Sequence, residues 1–117
     1  MLIKCDKKLF LVKEQEIDFV EAAGNYAHVS LGSVSLLTKI SLAKLGAVLN
    51  TERFVRVHRS TIVNLDQIGY LEPQARGDYL LTLKGGKQLK VSRKHVGHLF
   101  RSIRGHLREE RPASSPQ

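Results

Sequence analysis

The sequence predicts a mainly β domain with one short internal helix and a C-terminal helix. Short runs of β-prone residues, several alternating apolar with polar, recur from residue 9 to residue 91 and are punctuated by Gly- and Asn-containing turn signals. Only two segments place apolar residues at helical spacing. A chain of 117 residues with 42% apolar content suits a single core that needs no disulfide or metal staple.

Leu9, Phe10, Leu11 and Val12 form the first β-prone run, with Cys5 an early strand residue. Ile17, Phe19 and Val20 begin a second run that reaches Glu21. Gly24 and Asn25 then interrupt the pattern. Beyond them Tyr26, His28 and Ser30 alternate with Ala27, Val29 and Leu31, which predicts a half-buried strand entered through a hairpin across Gly24-Asn25. Gly32-Ser33 is the next turn signal, leading into a strand over residues 34–38.

Ser41 can accept a hydrogen bond from an unpaired first-turn amide, and Leu42, Leu45, Val48 and Leu49 follow at helical spacing, so residues 42–49 read as a helix stopped by Asn50. Period two returns over residues 53–58, with Val55 and Val57 on one face and Phe54, Arg56 and His58 on the other. Residues 62–64, 68–71, 78–83 and 88–91 continue the β pattern. They are separated by residues 73–77 and by Gly85-Gly86, which reads as a two-residue hairpin turn. Ser92 caps the final helix, where Val96, Leu99, Phe100 and Ile103 fall at i, i+3, i+4 and i+7. Periodicity ends there, so residues 1–105 are expected to form the domain and residues 106–117 a flexible C-terminal tail.

The net charge of +8 is unevenly distributed: residues 1–52 carry six Lys/Arg against six Asp/Glu, residues 53–117 thirteen against five. A segregated basic field attracts a polyanion, because neutralising phosphates releases condensed counterions; anionic membranes and acidic proteins answer to the same field. The single cysteine cannot form an internal disulfide, no apolar run reaches transmembrane length, and the N-terminal apolar stretch is too interrupted for a signal peptide. The expectation is a cytoplasmic protein with no membrane partner.

Two clusters carry the chemistry. In HRST, residues 58–61, the Arg59 guanidinium can donate two parallel bonds to guanine N7 and O6, and the Ser60 hydroxyl suits a phosphate oxygen. Arg59 also reads as a solvated strand-end arginine, His58 as a packed structural histidine, and Arg56 equally as a brace between strands or a phosphate contact. In LKVSRKH, residues 89–95, Arg93 and Lys94 stand at a strand-to-helix junction, where cations are locally unfavourable and anions welcome. Catalytic readings do poorly. HRS shares its start with a kinase catalytic loop, but Ser60 stands where the base must be, Asn64 is one residue short and no glycine-rich phosphate loop precedes it. No nucleophile elbow occurs, and His95 with His98 lacks a third metal ligand, so neither an enzyme nor a metal or cofactor site is expected.

FVRVHRSTIVN at residues 54–64, VSR at 91–93 and EAAGNYAHV at 21–29, in that order and together spanning much of residues 9–103, resemble the LytTR family of bacterial DNA-binding domains. The resemblance implies stacked, mainly antiparallel sheets whose loops enter successive major grooves. It implies base contacts from Asn25, Arg59 and Arg93, and backbone contacts from Tyr26, Arg56, Ser60 and Lys94. Asn25 reads equally as a turn residue tolerant of left-handed geometry. The partner implied is double-stranded promoter DNA bearing direct repeats, bound by paired protomers. Such domains usually follow a receiver or sensor domain under a histidine kinase; only Met1 precedes Leu2 here, so the expectation is an excised output domain or a stand-alone regulator. The rival classes are a single-stranded RNA-binding β module, short of the aromatic platform that role requires, and a basic protein-interaction or ligand-sensing domain.

Overall fold

Three antiparallel sheets are stacked around two helices in the computed structural model, which describes residues 1–110. Strands β1 (Leu2–Cys5) and β2 (Lys8–Leu11) form a hairpin, turned through Asp6 at φ 61°. The central sheet holds β3 (Phe19–Ala23), β4 (Tyr26–Leu31), β5 (Val34–Thr38), β6 (Phe54–His58) and β7 (Thr61–Asn64), ordered β5-β4-β3-β7-β6. The third sheet holds β8 (Ile68–Pro73), β9 (Tyr79–Leu83) and β10 (Gln88–Val91), with β9 in the middle.

Chain direction explains the two cores. Because β5 and β6 are opposite edges of the central sheet, their connection must cross one face, and helix α1 (Leu42–Val48) makes that crossing. Leu42, Leu45 and Leu49 close over Val20, Val29 and Ile62, while Ile3 from the N-terminal hairpin completes this first core. The second core lies on the other face: Phe19, Val55, Val57 and Val63 meet Leu81, Leu83, Leu89 and Val91 of the three-stranded sheet, and Leu99 from helix α2 (Arg93–Glu110). Strand β6 is therefore buried on both faces, Phe54 in one core and Val55 in the other, although its sequence alternates as if one face met solvent. A fully buried aliphatic side chain contributes about 1.5–3 kcal/mol, so each core contributes substantially to stability.

Several element ends differ from the sequence pattern. Ile17 is fully buried but ends a 3-10 turn before β3. Of the first β-prone run, Leu9 and Leu11 face outward, while Phe10 packs against the core and Val12 is buried in it, because pairing with β1 sets that register. Gly85-Gly86 is not a two-residue turn. Leu83 and Lys87 still bond, at 2.8 Å, and only Gly86 takes positive φ, 101°, giving a longer loop of the bulged kind. Helix α2 runs past Gly105 to Glu110, helped by His106, whose Nε2 lies 2.6 Å from Asp66 Oδ1; the rest of the expected tail, 111–117, lies outside the described residues.

Candidate nucleic-acid interface

One end of the central sheet gathers the loops that hold the expected site residues. Strand β3 runs toward this end and turns through Gly24-Asn25 into β4, with Ala23 paired to Tyr26 and Gly24 at φ 64°. Strand β6 ends there and returns as β7 through Arg59 and Ser60. Two main-chain bonds lock the neighbours together: Ala22 N–H donates to the Ser60 carbonyl at 2.9 Å, and Ser92 N–H donates to the Val57 carbonyl at 3.0 Å. The turn at 24–25, the turn at 59–60 and the β10–α2 junction thus stand in a row. Two strand spacings separate the turns, about 10 Å.

Asn25 and Arg59 are exposed, and among the described residues their side chains make no hydrogen bond. Tyr26 is 42% exposed beside Asn25. Arg93 is exposed with its stem over Gly77, where a Cβ would lie 3.5 Å from Arg93 Cβ. Ser60 is drawn inward: its hydroxyl lies 2.9 Å from His58 Nδ1, and its amide donates to the same nitrogen at 3.2 Å. With Nδ1 accepting, the neutral His58 ring carries its proton on Nε2. Arg56 does not point outward either. Its Nε donates to the His58 carbonyl at 3.0 Å and its Nη2 to the Arg59 carbonyl.

The α2 cap is the main correction to the sequence reading of this end. Ser92 precedes the first helical residue, as expected, but its hydroxyl lies 2.7 Å from His95 Nδ1. The Arg93 amide donates instead to Asp78 Oδ1 at 2.9 Å, fifteen residues back in sequence. A carboxylate thus occupies one of the amides that a phosphate would use. His95 sits half-buried against a cationic group of neighbours. Burial, then Arg56, His58, His98 and Lys94, hold its pKa below the ordinary 6.5, so the ring is uncharged at neutral pH.

Local sequence did not place four further cations at this end. Lys4, Lys39 and Lys44 line a shallow cavity of about 420 Å³ beside Asn25, although the half of the chain they belong to is neutral overall. Arg76 stands in the β8–β9 loop, next to Arg93's seat on Gly77. Asp6 stands among these lysines, but other acids of the first half lie elsewhere. Glu14 accepts from Asn50 N–H and Asp18 from Gly32 N–H at the far end of the sheet, where Asp66 pairs with Arg53 at 2.7 Å. Charge segregation is thus spatial as well as sequential. No group of three or more His, Cys, Asp or Glu side chains suited to a metal ion occurs among the described residues, and no described helix is long and apolar enough to cross a membrane.

The family model described as the LytTr DNA-binding domain matches residues 7–104 of this chain. The chain is 29% identical over 108 residues to the sensory transduction protein LytT of Oceanobacillus iheyensis, covering 90% of this chain and 44% of that protein. It is 30% identical over 93 residues to an uncharacterised response regulatory protein of Yersinia pestis, covering 79% of this chain and 37% of that one. The chain thus spans less than half the length of these curated relatives. Its fold is similar to the LytTr DNA-binding domain of a methyl-accepting/DNA response regulator from Bacillus cereus, with TM-score 0.79 and 23% identity over 88% of this chain and 94% of that one.

Proposed function

Since the chain belongs to the LytTr DNA-binding domain family, we propose that it reads double-stranded DNA sequence-specifically, as the output part of a bacterial two-component response regulator acting in the cytoplasm. The observation that carries this reading is the row of three hydrogen-bonded loops at the basic end of the central sheet. In this reading Asn25, Arg59 and Arg93 meet base edges, a bidentate arginine discriminating guanine and an asparagine adenine. Tyr26 and Lys94 meet the backbone, joined by Lys39, Lys44 and Arg76, which fix position without carrying sequence information, while the Ser60 hydroxyl, turned onto His58 Nδ1, supports the turn instead. The row of loops docks on the duplex by charge, and bending of the duplex brings base edges about one helical turn, ~34 Å, apart within reach. Two protomers pair on direct repeats, and a receiver domain in the intact regulator controls that pairing.

An RNA-binding sheet fits less well, because Tyr26 and Tyr70, the strongly exposed aromatic residues, stand on different sheets and form no stacking platform. The test is substitution of Arg59 and Arg93 by alanine. Each should cost about 1–3 kcal/mol on a specific duplex and little on a shuffled one. Equal losses on both duplexes would exclude base reading by that residue.

A further inference from the structure

Arg56 pairs with Ile62 two residues before the β6–β7 turn, on the face of the sheet that α1 covers. The register shifts between Arg56 and His58, so an extra residue bulges β6 and brings the Arg56 side chain up to the turn it precedes. The guanidinium then forks onto the carbonyls of His58 and Arg59. The remaining carbonyl of the turn, that of Ser60, is held by Ala22 N–H, and the Ser60 amide is held by His58 Nδ1. The main chain around Arg59 is fixed from both sides, while the Arg59 side chain makes no hydrogen bond among the described residues. Two of the five guanidinium N–H groups are committed to the turn, and swinging the group out onto a phosphate would release those charge-assisted bonds and free the turn.

We propose that Arg56 is a positioning residue for DNA reading, acting on the duplex through the Arg59–Ser60 turn and not as a phosphate ligand. The proposal rests on the reading of Arg59 as a base contact. An arginine on a loose turn loses backbone as well as side-chain freedom when it docks, and a pre-ordered turn removes the first of those costs. Two parallel donors on one rigid plane are needed to hold successive carbonyls, and lysine does not provide them.

The test uses the full chain, a duplex recovered from a random library and its shuffled counterpart, with affinity followed against salt. Arg56→Gln should weaken the selected duplex about tenfold, leaving the shuffled duplex and the salt slope unchanged. The loss should vanish in an Arg59→Ala background. Arg56→Lys retains the charge but not the fork; it should lose discrimination in the same way, and it serves as the decisive variant if Arg56→Gln does not fold. A loss shared by both duplexes, persisting in the Arg59→Ala background and lowering the salt slope by about 0.9, would make Arg56 a phosphate ligand and overturn the proposal. Arg59→Ala without effect on the selected duplex would instead remove the reader assignment, and the positioning role with it.

Discussion

Asn64 shows how a residue inside a recognition-like signature can serve structure alone. It is fully buried; its Nδ2 donates to the Ile17 carbonyl at 2.9 Å and its Oδ1 accepts from Asp66 N–H at 2.9 Å. Asn64→Leu strands both partners in the interior, so chemical denaturation should show a loss of about 1–3 kcal/mol per unpaired group. His95 gives the pH dependence. Its pKa is lowered in the folded chain by burial and then by Arg56, His58, His98 and Lys94. Its contribution to stability is therefore complete above the unfolded value of 6.5, and it is lost as pH falls below that, because the unfolded chain takes up the proton first. If Lys94 meets phosphate as proposed, that phosphate acts oppositely and favours the charged ring, so binding should take up a proton and strengthen as pH falls from 7.5 to 6. Titration of affinity against pH should show this rise, and His95→Gln should flatten it; an unchanged profile in the variant would remove His95 from the effect. Sequence could place Arg59 and Asn25 in turns, but not the inward turn of Arg56, since alternation reports a face and not the hydrogen bonds a bulge creates.

At the scale of elements, the β10–α2 junction is set by a residue far away in sequence. Asp78 Oδ1 holds the Arg93 amide, and its other oxygen lies 3.6 Å from Lys90 Nζ. Asp78→Asn keeps an acceptor for the amide while removing the negative charge beside Arg93. Thermal stability should change little, and affinity for any duplex at low salt should rise by severalfold; unchanged affinity would place the DNA backbone away from this helix end. Strands and helices were largely legible, because Ser41 caps α1 through the Lys44 amide at 3.1 Å and the hairpin at Gly24-Asn25 forms where turn chemistry says. Strand β1 was legible only at Cys5, because its extent and register come from pairing with β2, which apolar run length does not report. The far end of α2 was missed for a similar reason: beyond Ile103 the Asp66–His106 contact supplies a tertiary tether.

For the whole molecule, the two cores and the polarised charge have separate consequences. Leu45 and Leu81 are buried in different cores, at 2% and 0% exposure, and either substitution by alanine should cost about 2–5 kcal/mol. Because β3, β6 and β7 contribute to both cores, the losses should appear in a single cooperative unfolding transition; two separate transitions would contradict the shared-sheet architecture. The basic excess, evident in the sequence, becomes directional only in the fold, where Lys4, Lys39 and Lys44 join the basic loops while Glu14, Asp18 and Asp66 stand at the other end. Such polarity steers one end toward a duplex before any base is read. The central claim is sequence-specific reading of double-stranded DNA. Its most direct test is selection of bound sequences from a random duplex library at near-physiological salt, with single-stranded RNA as competitor. Enrichment of a repeated duplex motif, lost with Arg59→Ala, is the result predicted; recovery of unselected duplex or of RNA would contradict it.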